Sequence, residues 1–273
     1  MGALPNFPVE AVRVEVTGTL GSVPRETGAS MLVWDGGQSG TIGGGVLEWN
    51  AAKRAREMLA GGKAEDSQSV ALGPEIGQCC GGRVELGFEK LRGGTPRQAA
   101  PETSPLTAQY EKALEGWQSE MPVYLYGAGH VGRAIVKALP FDVHWVDVAE
   151  ARYPDWATGK IIKTNPAAAV ADAPDGALHF VLTHSHSFDL EVCHQVLSRR
   201  FGHLGLIGSS TKKARFLKRL RELGHSETTL ARLQCPIGDK RLGKAPEGIA
   251  LGVAHWLRQR QNDVNAPLGE GHV

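Results

Sequence analysis

The chain has 273 residues and a mass of 29.2 kDa, above the ~100–200 residues usual for one domain, so two domains or one large one are expected. Its 30 Lys and Arg nearly cancel 29 Asp and Glu, which excludes the broad basic footprint of a polyanion binder and makes nucleic acid a poor partner. Glycine is the outlier at 35 residues, roughly twice the usual ~7%; with 41% hydrophobic residues and no Gly-X-Y period the chain is neither collagen-like nor disordered, so the glycines belong in turns that need positive φ or close approach.

In chain order, Val12–Val16 and Ala29–Trp34 alternate as strands around tight Gly-Pro and Asp-Gly-Gly turns. From Val46 to Leu59, apolar residues at Val46, Trp49, Ala52, Ala55 and Leu59 predict a helix with that face buried, and Val84–Phe88 alternates again. Residues 1–91 therefore read as an α+β domain, and 92–120 as a linker carrying one short helix near Leu106–Trp117. Short apolar runs follow at Val123–Tyr126, Val143–Val146, Ile161–Ile162, Leu178–Leu182 and Leu204–Ile207, spaced by helix-length segments. That rhythm predicts, over 121–260, a Rossmann-like parallel sheet with helices on both faces, closed by a helix from Glu247 to about Gln259 and a frayed tail, 261–273. His179, inside one run, reads as a buried, hydrogen-bonded histidine.

Gly127-Ala128-Gly129-His130-Val131-Gly132 lies between a strand and a helix, and Asp147 ends the next strand at the spacing where an acid takes a ribose hydroxyl. Two more loops leave strands at the same edge. Thr183-His184-Ser185-His186 offers imidazoles for proton transfer or a metal, and Ser209-Ser210 with Lys212 opens a helix where an anionic group is favoured. In the first half, Gly77-Gln78-Cys79-Cys80-Gly81-Gly82 sets two adjacent thiols among glycines; soft thiolate suits a soft metal, sulfur transfer or a redox step, while buried inert cysteines are the plainer alternative. Arg25, after Gly21-Ser22-Val23-Pro24, is a candidate ligand contact, and Gly40–Gly45 leads into a helix start that would favour an anion. Cys235 on its own reads as structural. The first ten residues lack a basic and then apolar leader, no apolar run approaches the ~18 residues of a membrane span, and the cysteines form no spaced disulfide framework, so a soluble cytoplasmic protein is expected.

Together Ser22–Arg25, Gly43-Gly44-Gly45 with Glu48, Gly77–Gly82, Gly127–Gly132, Thr183–His186 with Asp189, Ile207–Lys212 with Arg215-Phe216, and Cys235-Pro236-Ile237-Gly238 resemble the XdhC/CoxF family of xanthine dehydrogenase accessory proteins over roughly residues 10–260. Asp239–Gly243 departs from the family's usual Gly-Ile turn. The resemblance implies a chaperone, without turnover of its own, that binds the phosphate-bearing pterin of the molybdenum cofactor. It would hold the cofactor while a cysteine desulfurase installs sulfur, then pass it to the xanthine dehydrogenase large subunit. A homodimer is expected, with Cys79 and Cys80 toward molybdenum or its sulfur and the helix starts toward anionic groups. A nucleotide in the Rossmann half stays open as a second ligand. The rival reading is an NAD(P)-dependent oxidoreductase with His184 or His186 as acid or base.

Overall fold

The computed structural model describes residues 10–73, 82–92, 114 and 121–259. The predicted linker, except Arg92 and Leu114, and the predicted tail lie outside them, as do Gly77, Gln78, Cys79, Cys80 and Gly81. Contacts divide the chain into two compact units, Met1–Ser104 and Pro105–Val273.

The first unit is an antiparallel five-stranded sheet in the order β3-β2-β1-β5-β4, from β1 (Glu10–Leu20), β2 (Ser30–Trp34), β3 (Gly37–Gly40), β4 (Glu65–Ala71) and β5 (Arg83–Arg92), with helix α1 (Gly45–Gly61) on one face. Alternation in β1 sends Val12, Val14 and Val16 into a core with Met31, Val33, Val84, Leu86 and Phe88. The helix faces this core differently from the expected stripe. It buries Leu47, Glu48, Ala51, Ala52, Ala55 and Met58, and leaves Val46 and Trp49 exposed, with Lys53 over the Trp49 ring. Alanines at 51, 52 and 55 let the backbone approach the sheet, and Glu48 is drawn inward by the loop described below. Strands β3 and β4 escaped the sequence reading because their residues, Gly37–Gly40 and the polar Glu65–Ala71, lack an apolar face.

The second unit is a six-stranded parallel sheet in the order β11-β10-β9-β6-β7-β8. Its strands are β6 (Val123–Tyr126), β7 (Val143–Asp147), β8 (Lys160–Ile162), β9 (Leu178–Val181), β10 (His203–Leu206) and the two-residue β11 (Leu233–Gln234). Numbered within the unit this is 3-2-1-4-5-6, the doubly wound Rossmann order, whose reversal between β6 and β9 makes the ligand crevice of such sheets. Four central strands are buried on both faces, which is why their residues read as continuous apolar runs. One face packs on α2 (His130–Ala138) and α6 (Pro246–Gln259); the other meets α3 (His186–Leu197), α4 (Ser210–Glu222) and the short α5 (Glu227–Ala231). Among the described residues no helix is long and apolar enough to cross a membrane.

Candidate functional site

Each unit gathers its glycine-rich loops at one end, and in each a buried carboxylate holds them.

In the first unit the turn after β1 meets the loop before α1. A Cβ on Gly43, at φ +130°, would fall 2.6 Å from Pro24 Cγ, and Arg25 Nη1 donates to the Thr41 carbonyl at 3.3 Å. Gly82, directly after the Cys79-Cys80 segment, is as tightly placed: a Cβ there would lie 2.2 Å from the Ser22 carbonyl oxygen. Its own carbonyl accepts from Leu72 N at 2.7 Å. The carboxylate here is Glu48, 6% exposed. Its Oε2 accepts from Thr41 Oγ1 at 2.5 Å, Ile42 N at 3.0 Å and Gly44 N at 3.1 Å, and its Oε1 from Gln38 Nε2 at 3.2 Å. The start of α1 was expected to attract an anionic ligand; the chain's own Glu48 already supplies the anion, against neutral donors and the helix dipole. Arg25 is held loosely by comparison. Its side chain is 14% exposed, its Nε is buried without an acceptor among the described residues, and Glu26 lies 3.6 Å from Nη2. A buried guanidinium with spare donors is suited to a carboxylate, phosphate or oxo group.

In the second unit the crevice lies where the loops after β6 and β9 touch. Gly127, at φ +124°, brings its Cα against Leu182, whose carbonyl oxygen would be 2.3 Å from a Cβ, and a Cβ on Gly132 would sit 2.1 Å from the Gly127 oxygen. These two glycines are required by packing. Gly129 is different: a Cβ there meets nothing within 4 Å, and as N-cap of α2 it leaves the first turn without a side-chain cap. Open space over an uncapped helix start is the geometry that takes a phosphate.

Asp147, 2% exposed, is turned into the protein. Its Oδ2 accepts from Ala128 N at 2.5 Å and its Oδ1 from Val148 N at 2.7 Å, with Arg152 Nε 2.6 Å from Oδ1. The carboxylate thus holds the glycine loop in place, and one oxygen also pairs with Arg152, a residue with no motif of its own. Arg133 ties the same corner, donating to the Ala128 and Arg152 carbonyls. His184 stands near this corner, and burial foremost, then the Arg152 charge, lowers its pKa below the usual histidine value. His186 opens α3; burial, then Lys212, lowers it too. Both imidazoles are therefore biased toward the neutral form, as general bases or ligands require.

Lys212 was expected to face an anionic ligand; its ammonium points inward. It donates to Asp189 Oδ2 at 2.5 Å and to the Ile207 carbonyl at 3.0 Å, and the two side chains are 8% and 0% exposed. Asp189 in turn accepts from Thr183 N and Thr183 Oγ1 at 2.8 and 2.7 Å, so the buried ion pair joins the His184–His186 loop to the start of α4. Ser209 caps that helix through Lys212 N at 3.1 Å. Glu48 and Asp189 appear in the sequence motifs, but only contacts reveal what they do.

Among the described residues no group of three or more His, Cys, Asp or Glu could hold a metal ion. Cys193 and Cys235 are buried and outside any disulfide, and burial pushes the Cys193 thiol far up, so Cys193 is not the reactive type. His179 is buried, with Nδ1 3.0 Å from the Tyr126 hydroxyl, and burial pushes its pKa down to about 3.

Residues 123–255 match the XdhC Rossmann domain and residues 8–70 the XdhC and CoxI family. The chain is 28% identical to the uncharacterized protein YqeB of Escherichia coli K12 over 93% of its own length, and spans 44% of that relative. It is 24% identical to the molybdenum cofactor insertion chaperone PaoD of the same organism, covering 89% of this chain and 81% of PaoD. A solved structure described as a xanthine dehydrogenase from Bacillus halodurans aligns over 93% of this chain and 92% of its own, with 18% identity and a TM-score of 0.42. With both XdhC segments matched in order, one on the antiparallel unit and one on the Rossmann unit, the chain belongs to the XdhC/CoxF family of accessory proteins.

Proposed function

We propose that this protein is a molybdenum cofactor chaperone that holds the cofactor for sulfuration and delivers it to a xanthine dehydrogenase large subunit. The observation that carries the reading is the similarity to the insertion chaperone PaoD along most of both chains. The site chemistry supports it from two sides. Cys79 and Cys80 supply soft ligands for molybdenum or its sulfur, and Arg25, in the turn that Gly82 abuts at Ser22, has donors to spare. Gly129 and the start of α2 offer the second unit's place for a phosphate-bearing group, either of the cofactor or of a nucleotide. The protein acts in the cytoplasm as a carrier without turnover, receives sulfur from a cysteine desulfurase, and works as a homodimer.

The test is to express the protein with an intact cofactor pathway and to measure co-purifying molybdenum and pterin fluorescence, then activation of apo xanthine dehydrogenase. Wild type is expected to carry both and to activate the apoenzyme. The paired Cys79→Ala and Cys80→Ala change should abolish delivery, and Arg25→Met should weaken retention about tenfold or more, the worth of a charge-assisted hydrogen bond. Absence of bound pterin and metal, or full delivery by the double cysteine variant, would sink the reading.

The Rossmann strand order favours a second reading, an NAD(P)-dependent oxidoreductase. Asp147 weakens it, because both carboxylate oxygens are already engaged and the residue is buried, leaving little for a ribose diol. Micromolar NAD(P)H binding with hydride transfer to a carbonyl substrate would restore it.

A further inference from the structure

The corner of the Rossmann crevice beside Asp147 holds more positive charge than the described residues neutralise. Asp189, whose charge also acts on His184, is paired with Lys212 at 2.5 Å, and Glu150, two residues before Arg152, is paired with Lys160. That leaves Arg133 and Arg152 with one carboxylate, Asp147, between them. The two guanidiniums act on each other: after burial, the Arg152 charge is the next cause that lowers the Arg133 pKa. Asp147 already accepts from two backbone N–H groups, Ala128 N at 2.5 Å and Val148 N at 2.7 Å.

The two arginines are used differently. Arg133 directs Nε to the Ala128 carbonyl at 3.1 Å and Nη2 to the Arg152 carbonyl at 2.7 Å. Arg152 lies beside Asp147 through Nε, 2.6 Å from Oδ1, and its Nη1 and Nη2 groups meet no acceptor among the described residues. Its side chain is one-third exposed. Its two neighbours fix where it stands. Asp147 ends β7 and His184 follows β9, the strands on either side of β6, and the Arg152 charge acts on the His184 imidazole. The forked end of Arg152 is thus at the strand ends where doubly wound sheets bind ligands.

We infer that Arg152 is the anion-binding residue of this crevice and that the group it takes is a terminal phosphate monoester. A guanidinium fork grips a tetrahedral phosphate through two parallel N–H···O bonds. Charge favours phosphate over a carboxylate. The one surplus guanidinium would neutralise a carboxylate, whereas a monoester carries close to two negative charges at neutral pH. The remainder suits the N–H groups at the start of α2, where Gly129, next to the Ala128 that Asp147 holds, leaves open space. The phosphate-bearing pterin and a mononucleotide both end in such a group. The inference rests on the proposed function only for the choice between these two sources; the place of Arg152 rests on the surplus of charge and its free fork.

The test is isothermal titration of the full chain, with circular dichroism to verify folding of each variant. The probes are adenosine 5′-monophosphate and the phosphate-bearing pterin released from a denatured molybdoenzyme, each beside its phosphatase-treated product. Loss of the phosphate from the probe that fits should raise Kd roughly tenfold or more. Arg152→Met should raise it as far, to the level of the dephosphorylated probe. Arg152→Lys, which keeps a cation beside Asp147 but loses the fork, should raise it about threefold or more and decides the matter where Arg152→Met does not fold. Either probe behaving in this way supports the proposal: the nucleotide alone assigns the crevice to a nucleotide and counts against the chaperone reading there, and the pterin alone assigns it to the cofactor. Two probes that bind no better than their dephosphorylated products overturn it, as do Arg152 variants that bind the phosphate as wild type does. Pterin held equally by wild type and both variants removes Arg152 from the site and leaves the chaperone reading standing.

Discussion

The two units solve one problem in different ways. Each must hold a loop at its sheet's end still, and each uses, among other contacts, a buried carboxylate in the first turn of a helix. Glu48 accepts from a hydroxyl, two backbone N–H groups and a side-chain amide. Asp189 balances its charge against a buried ammonium as well as Thr183. The first arrangement loses one hydrogen bond at a time when perturbed, whereas the second strands a whole charge if either partner goes. The units differ also in acid sensitivity, because all ten histidines lie between His130 and His272 and none in the first unit.

Removing the ammonium should break the second arrangement hardest. Lys212→Met is expected to cost about 3–5 kcal/mol in urea unfolding of the Rossmann unit, and adding Asp189→Asn should recover part of the loss. If the single change costs no more than an ordinary surface substitution, the pair does not brace the crevice. Acid should come next. The unfolded chain protonates His179 near pH 6.5, the folded chain only near 3, so unfolding takes up a proton between those values and stability falls as pH falls through that window. His179 alone contributes up to about 5 kcal/mol of this loss, almost none of it above pH 6.5, and His179→Phe should flatten the slope. Unfolding of the first unit, followed at Trp34 and Trp49, should be nearly insensitive from pH 6.5 down to about 5, above the range in which Asp66, held down at about 2 with Lys63 foremost, begins to take up a proton on unfolding.

Glu48→Ala leaves several buried donors unpaired and should destabilise the first unit by about 2–3 kcal/mol, while Glu48→Gln, which keeps an acceptor, should cost about 1 kcal/mol; equal losses would mean that charge, and not acceptor geometry, holds the loop. The smallest effect on stability sharpens the division between packing and binding within one motif. Gly132→Ala, with a Cβ 2.1 Å from a carbonyl oxygen, should cost about 1–3 kcal/mol. Gly129→Ala should leave stability within about 0.5 kcal/mol yet weaken phosphate-bearing ligands, read by parallel melting and titration.

Much of the Rossmann unit was legible because strands buried on both faces leave continuous apolar runs, and Val123–Tyr126 is the same in sequence and structure. The turn that opens α2 was legible too, since Gly127 and Gly132 answer steric demands that no other residue meets. The first unit was harder. A 17-residue helix with alanines on several sides permits more than one apolar stripe, and the choice that buries Leu47 and Met58 while exposing Trp49 depends on the sheet beneath. Strand β4 carries almost no apolar signal and forms because β5 offers it a ladder.

By itself the sequence determined the two-part organisation of elements, the Rossmann half and the family motifs, because periodicity, glycine placement and short residue patterns are local properties of the chain. Only the tertiary structure decided which charged groups turn inward to face each other. Lys212 and Asp189 are 23 residues apart, and Asp147 and Ala128 are 19 apart. Their pairing depends on which strands become neighbours, and burial then strengthens it by removing competing water.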